Sequence, residues 1–262
     1  MSSIAVFSCY FGDPEPFNND TMGRGEGYDR ILFTDREDLV PPGVERRLCR
    51  SAALGPAHES RRAKLMPNVA LPEYDWAIYV DIRASLLRHP NEIIADIGAS
   101  PAPGRYVYAH PERSSVFKEL DTCFLIGHLD EVQWRTLDEL YIRSALPKDL
   151  ALTHNAVMIC KAGDTSTDRT SEMWFEMFHR YCKRDQLTMQ LAEHLSGAKA
   201  NRMHGKLTDI AKWPVFMPQD RDKSVIPPDL FKPKAKLSLA RQKFKRLQKQ
   251  KMTLIEKRQS MR

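Results

Sequence analysis

Residues 74–83, with the sequence YDWAIYVDIR, decide the fold of this chain. Residues 76–80 are all apolar, with β-branched side chains at Ile78 and Val80, and Pro72 precedes them. This pattern predicts a central strand that is buried on both faces and ends in Asp81, with Arg83 two residues on. Ligands of open α/β sheets bind at the carboxyl ends of strands, so both charged residues are functional candidates. The alternative is that Asp81 caps a turn and Arg83 is solvated.

The rest of the body alternates between strand-like and helix-like segments. The predicted strands cover residues 3–11, 28–35, 41–50, 105–110 and 154–161, and the predicted helices cover 60–71, 90–97, 115–125, 130–144, 171–181 and 187–195. The segments 163–170 and 201–218 are predicted to be irregular. This alternation is typical of an α/β domain with a mostly parallel central sheet flanked by helices.

The net charge of +6 is unevenly distributed. Residues 232–262 contain twelve Lys and Arg against one acid, Glu256, so residues 1–231 carry a net charge of −5. We therefore predict a domain at 1–231 and a basic helical tail at 232–262, and no nucleic-acid partner, because the body is acidic. The tail has heptad-like apolar spacing interrupted at Lys251. It could contact an anionic membrane, pair with a protein partner, or extend into solvent, and we favour a membrane or partner.

No apolar run approaches the ~20 residues that a bilayer span needs. The first residues lead directly into a strand pattern, so we expect no signal peptide and a cytoplasmic protein, peripheral to the inner face of the membrane if the tail binds there. The five cysteines are scattered without a CxxC pair, which indicates neither a disulfide framework nor a zinc site. The motifs GxSxG and HExxH, which would indicate a hydrolase, are absent from the sequence.

A basic run opens the predicted helix 60–71, where Arg61, Arg62 and Lys64 follow Ser60. Cations in a first turn oppose the helix dipole, which favours an anionic partner there, such as a diphosphate. The alternative is that they are ordinary surface residues.

Several short motifs, taken in order, resemble a known family. They are YDRILFTD at 28–35, RRAKLMP at 61–67, the 74–81 strand, HPER at 110–113 followed by Glu119, residues 155–159, WFE at 174–176 and RDQL at 184–187. Their order and spacing across residues 4–195 resemble the glycosyltransferase-like family of domain of unknown function 616. That family includes plant mucilage-related proteins, some of which once carried the name alkaline ceramidase.

The resemblance implies a GT-A-like fold that binds a nucleotide sugar and a glycan or other hydroxyl acceptor. For sugar transfer to that acceptor, the donor contacts that we predict are Asp35, Arg61, Arg62, Lys64, Asp81, Arg83, His110, Arg113 and Gln186. If the reaction inverts, the acceptor hydroxyl needs a base, and the predicted base is Asp185, with Glu119 as the second choice. A Mn²⁺ or Mg²⁺ ion would be held by Asp81, with His204 as a further ligand.

One departure from the family pattern concerns the metal. GT-A enzymes usually carry Asp-x-Asp where this chain has Asp81-Ile82-Arg83, so Arg83 could neutralise the diphosphate in place of an ion. The sequence thus indicates a sugar transferase, with surface-polysaccharide synthesis as the expected setting. The alternative is a non-catalytic relative that binds a nucleotide or glycan in the same cleft.

Overall fold

The computed structural model describes residues 2–12, 16–49, 55–216 and 234–261, with side chains from residue 246 onward in the last range. The strands are β1 (Ile4–Tyr10), β2 (Asp29–Thr34), β3 (Glu45–Leu48), β4 (Trp76–Val80), β5 (Ser85–Leu86), β6 (Gly104–Ala109), β7 (Thr153–Lys161), β8 (Asn201–Arg202) and β9 (Ala211–Lys212). The helices are α1 (Pro56–Leu65), α2 (Pro67–Ala70), α3 (Pro90–Ile97), α4 (Val116–Leu125), α5 (Glu131–Arg143), α6 (Thr165–Tyr181), α7 (Gln186–Ser196) and α8 (Lys234–Gln259), with a 3₁₀ turn at Leu207–Asp209.

One seven-stranded sheet organises the body, in the order β3-β2-β1-β4-β7-β6-β8. Its strands all run in one direction except β7, which is antiparallel to β4 and to β6. The 76–80 segment forms β4 near the centre of the sheet, and all five of its residues are buried. The predicted α/β class with a mostly parallel, helix-flanked sheet is therefore confirmed.

The two faces of the sheet bury different sets of side chains, because successive strand residues point to opposite sides. Val6 and Ile78 pack on one face with Ile93 of α3. Phe7 and Tyr79 pack on the other face, beneath α1, α6 and α7, and their ring centroids lie 5.5 Å apart. Each such side chain contributes roughly 1.5–3 kcal/mol by burial. Asp81 follows Tyr79 by two residues and so continues the row on the second face.

Two helices begin earlier than their sequence pattern predicts. Helix α1 starts at Pro56, not Ser60, which puts Arg62 and Lys64 in its last turn, where the helix dipole favours cations. The predicted clash between basic side chains and a first turn is therefore wrong. Helix α6 starts at Thr165 inside the segment predicted to be irregular, because the Asp164 side chain accepts hydrogen bonds from the N–H groups of Ser166 and Thr167.

The segment 201–216, also predicted to be irregular, contains β8, the 3₁₀ turn and β9. The last of these pairs with β5 in a second, two-stranded sheet. Two-residue strands are too short for a period-two pattern to reveal. Residue 50, residues 217 and 218, and the boundary between 231 and 232, on which predictions fall, lie outside the described residues.

The described end of α8 packs on the body. Ile255 is 4% exposed in a third apolar cluster built from α4, α5 and α7. The Arg258 Nε lies 2.5 Å from the Asp138 carboxylate, and the Lys251 Nζ donates to the Phe124 carbonyl at 2.7 Å while lying 4.5 Å from that ring's centroid. Lys251 is thus a contact residue, and this end of the tail is not a solvated extension. Among the described helices, none has both the length and the apolarity needed to cross a bilayer.

Candidate functional site

The backbone fixes Asp81 at the end of β4. Its N–H donates to the Ala156 carbonyl across the sheet at 2.7 Å, and its carboxylate accepts the Arg83 N–H at 3.0 Å. The second contact closes an Asx turn, which is the turn role that the sequence left as an alternative. The side chain is nevertheless half-buried rather than enclosed, and it makes no ion pair with a described residue. We call this end of the sheet, marked by Asp81, the Asp81 edge.

A buried ion pair lies beside Asp81 on the second face of the sheet. The Lys64 Nζ is 2.5 Å from the Asp185 carboxylate and lies 4.7 Å from the centroid of the Tyr79 ring, and the Lys64 side chain is only 3% exposed. The Arg61 Nε lies 3.5 Å from the same carboxylate. Residues from α1 and from the start of α7 thereby meet under the sheet edge.

Electrostatics keep Asp185 ionised. Burial alone would raise the pKa of Asp185, but the Lys64 ammonium and the Arg61 guanidinium outweigh burial and hold the pKa at about 2. A carboxylate of such low basicity, engaged by two cations, is poorly suited to accept a proton from an acceptor hydroxyl. Asp185 does precede α7 as predicted, but its side chain makes no capping hydrogen bond. Its geometry favours a role in holding Lys64 in place.

Arg83 is fixed by a segment that is distant in sequence. Its carbonyl accepts the Val215 N–H at 2.9 Å, and its Nη2 donates to the Phe216 carbonyl at 3.4 Å. The guanidinium carbon lies 5.9 Å from the centroids of both the Trp213 and the Phe216 rings. Its Nε is buried and has no hydrogen-bond partner among the described residues. The guanidinium therefore keeps one N–H donor without a partner among the described residues.

A row of aromatic rings continues from Trp213 along the strand ends. Trp213 packs edge-on against His154 at 4.5 Å between centroids, and His154 stacks on His110 at 5.5 Å. Burial, and then the neighbouring His110 and Lys64, lower the pKa of His154 to about 4. Burial and Arg113 also lower the pKa of His110. Both imidazoles are therefore neutral at pH 7.

Glu119 is buried in a second charged group. Its carboxylate pairs with the Arg113 guanidinium, and it lies 3.6 Å from the Arg184 Nη2, with the glutamate side chain 1% exposed. The Arg113 Nη2 in turn lies 3.2 Å from the His110 Nε2. This enclosure disfavours Glu119 as a base that contacts an acceptor, and it favours a role in orienting Arg113 toward the histidine row.

The remaining four predicted site residues, Asp35, Gln186, Arg62 and His204, make no described contact with Asp81. Asp35 accepts the Gly12 N–H at 3.0 Å, which ties β2 to the turn after β1. Gln186 donates to the Thr153 carbonyl at the start of β7. Arg62 is exposed, whereas Lys64, two residues later, is buried. His204 is exposed just after β8, three strand positions from β4, or roughly 14 Å at ~4.8 Å per strand, so the sheet does not bring it to Asp81.

Sequence reasoning missed three residues of this site. Trp213 and Phe216 lie in a segment without periodicity, and only the Trp-Pro pair at 213–214 marked it. Cys9, the second-last residue of β1, lies near Arg61 and Lys64, and burial raises the pKa of its thiol to about 12 despite these cations.

The described side chains at the Asp81 edge are poor ligands for a divalent cation. Mg²⁺ and Mn²⁺ take oxygen ligands, yet Asp185 is occupied by Lys64, and the third residue of the 81–83 triplet is an arginine. Across the described ranges, no three His, Cys, Asp or Glu side chains are grouped closely enough to hold a metal. The group as a whole suits an anion instead. Its cations Arg61, Lys64, Arg83, Arg113 and Arg184 outnumber the carboxylates of Asp81, Glu119 and Asp185 by two.

Comparisons with known proteins give only a distant likeness. No family model and no curated protein matches the sequence, so membership of the domain 616 family is not confirmed. Among solved structures, the fold is similar to the WbbM bifunctional glycosyltransferase in its apo form, at 10% identity and a TM-score of 0.46. The match covers 73% of this chain and 37% of that one, so this chain spans well under half of that protein.

Proposed function

We propose that this protein is a GT-A-like glycosyltransferase that binds a nucleotide-sugar donor at the Asp81 edge. The observation that carries the proposal is that Arg61 and Lys64 meet at the buried Asp185 carboxylate beneath the Asp81 edge, while Arg83 follows Asp81 in the turn at the same strand end. This group lies at the carboxyl ends of β1 and β4, where open α/β sheets bind ligands. An excess of fixed cations there fits a diphosphate better than a neutral ligand.

The chemistry that such a site supports is displacement at the anomeric carbon. The bond from that carbon to the diphosphate oxygen breaks, a bond to the acceptor oxygen forms, and the acceptor proton passes to a predicted base, Asp185 or Glu119, or to the departing diphosphate oxygen. Negative charge grows on the leaving diphosphate, and preorganised cations stabilise it without reorganisation. Asp81 is placed to contact the sugar hydroxyls. Asp185 and Glu119 remain the predicted bases, although both sit in ion pairs.

The alternative is a non-catalytic protein that binds a nucleotide or glycan at the same edge. Its support is the state of Asp185 and Glu119, since neither carboxylate is free to take a proton. The two functions differ in turnover. A transferase releases nucleoside diphosphate from a bound donor in the presence of acceptor or, slowly, water, whereas a binding protein releases none.

The acceptor and the location of the protein are further parts of the proposal. A glycan acceptor would approach along the aromatic row that ends at Trp213. The first half of α8 carries seven Lys and Arg between residues 234 and 249, which fits an anionic membrane surface at ~1 kcal/mol for each basic residue near it. Attachment there would place the domain beside membrane-linked acceptors in surface-polysaccharide synthesis.

A thermal-shift panel of UDP-, GDP-, ADP-, dTDP- and CMP-linked sugars tests the donor. A true donor at ~100 times its Kd should stabilise the protein by roughly 2.7 kcal/mol. Asp81→Asn should weaken that shift while leaving the unliganded melting temperature nearly unchanged. The exposed Asp149→Asn variant serves as the matched control. If no nucleotide sugar shifts the folded protein, or if both variants behave like the parent chain, the donor site is not at Asp81.

A further inference from the structure

The residues around Asp81 supply cations where a metal-dependent donor site would need oxygen ligands. The Asp81 carboxylate already accepts the Arg83 N–H, and the Asp185 carboxylate on the same face of the sheet is occupied by Lys64 at 2.5 Å. Among the described residues, a divalent ion at Asp81 would find few oxygen ligands, and it would lie near the positive charges of Arg61 and Lys64. Both conditions oppose metal binding.

We infer that the donor diphosphate is neutralised by Arg61, Lys64 and Arg83 themselves, and that donor binding requires no divalent cation. The inference rests on the proposed function and deepens it, because it names the groups that take the place of the metal.

Arg83 is the residue most directly suited to this role. It occupies the triplet position two residues after Asp81, and the 213–216 segment holds it from two sides. A guanidinium presents several donors in a plane that matches phosphate oxygens, and the Arg83 Nε is buried without a partner among the described residues. A phosphate oxygen would satisfy that donor.

Lys64 supplies a cation whose position does not depend on the ligand. The Asp185 carboxylate and the Tyr79 ring hold its ammonium in place, so little side-chain entropy remains to be lost on binding. Arg61 is less constrained, because its side chain is 28% exposed and shares Asp185 with Lys64. Lys64 therefore contributes a fixed positive charge beneath the site, and Arg61 contributes an adjustable side chain that a phosphate can contact.

The test measures the affinity for UDP, GDP, ADP and dTDP by calorimetry, once with EDTA and once with Mn²⁺. At least one nucleotide should bind with the same Kd, within about twofold, in both conditions. Arg83→Gln should weaken that binding roughly 10- to 100-fold, the effect of removing a charged hydrogen bond. Arg180→Gln, which removes an exposed guanidinium of α6 paired with Glu176, is the matched control and should bind like the parent chain.

The outcomes separate this inference from the proposed function. Binding seen only with Mn²⁺ would overturn the inference and leave a metal-dependent transferase. Metal-free binding that is equally strong in Arg83→Gln, with an unchanged melting temperature, would overturn the role of Arg83. Failure of every nucleotide to bind the folded protein in either condition would overturn the proposed function, and the inference with it.

Discussion

Replacing Asp185 by Asn should destabilise the protein, because it leaves the buried Lys64 ammonium without the negative charge that compensates it. The variant keeps the shape of the side chain but removes the charge that faces the Lys64 ammonium at 2.5 Å. Lys64 is 3% exposed, so water cannot take over as its partner. Burial already lowers the pKa of Lys64, and loss of the carboxylate lowers it further.

The magnitude follows from the pKa of Asp185. Lysine and arginine partners lower it from an ordinary 3.8 to about 2 against the opposing effect of burial. At ~1.36 kcal/mol for each pH unit, this amounts to roughly 2.5 kcal/mol of stability. Breaking a buried ion pair typically costs ~3–5 kcal/mol. Because Arg61 is 28% exposed and partly screened, we expect a loss of roughly 2–3 kcal/mol.

Urea unfolding at pH 7 measures this loss, with the exposed Asp149→Asn as the control. The pH dependence of the free energy of unfolding supplies a second measurement. Since the folded pKa of Asp185 is lowered, its contribution is present above pH ~4 and is lost as the pH falls toward 2. A combined Lys64→Met and Asp185→Leu variant should recover most of the lost stability, because an apolar pair leaves no unpaired charge. A loss below ~0.5 kcal/mol in Asp185→Asn would refute the ion-pair argument.

Two further predictions concern other parts of the chain. Burial, His110 and Lys64 lower the pKa of His154 to about 4, so the free energy of unfolding should decline as the pH drops from ~6.5 to ~4. The NMR resonances of the His154 ring should not titrate between pH ~7.5 and ~5. Titration near pH ~6.5 would contradict the burial of this side chain. Arg258→Ala removes the close ion-pair partner of the buried Asp138 and should lower the free energy of unfolding by roughly 3 kcal/mol, measured by thermal melting. The control Arg143→Ala removes an exposed partner of Glu139 and should lower it little. Equal effects of the two variants would mean that the end of α8 is not docked.

Local patterns in the sequence were sufficient for the elements that lie deep in the sheet. Continuous apolar runs give β1, β4 and β7, since strands covered on both faces leave no polar alternation. Helix α5 begins at a capping box formed by Asp130 and Gln133, a residue pair whose spacing is visible in the sequence. Asp81 could be singled out for the same reason, because the end of a buried strand is visible in the sequence and its position at a sheet edge follows from the fold class.

The partners of the charged residues could not be read in the same way. Lys64 and Asp185 are far apart in the chain and meet only because α1 and α7 pack on the same face of the sheet. Asp185 is a predicted base in the sequence, and only the folded structure shows the Lys64 ammonium beside it. Trp213 lies in a segment without periodicity, where its contact with His154 depends on long-range pairing of the 211–215 chain with β5 and Arg83.

The docking of α8 changes how the role of the basic tail should be tested. Asp121 of α4 accepts hydrogen bonds from Gln259 and from the Trp134 indole, and Glu119, two residues earlier on the same helix, holds Arg113 at the candidate site. Deleting the whole tail would therefore disturb α4 as well as remove basic charge, and a loss of donor affinity could not be assigned to either cause. Neutralising the Lys and Arg residues between 234 and 249 leaves the docked end intact. That variant should lose binding to anionic vesicles while keeping the donor affinity, since the described contacts that dock α8 on the body include Lys251, Ile255 and Arg258, which the variant leaves unchanged.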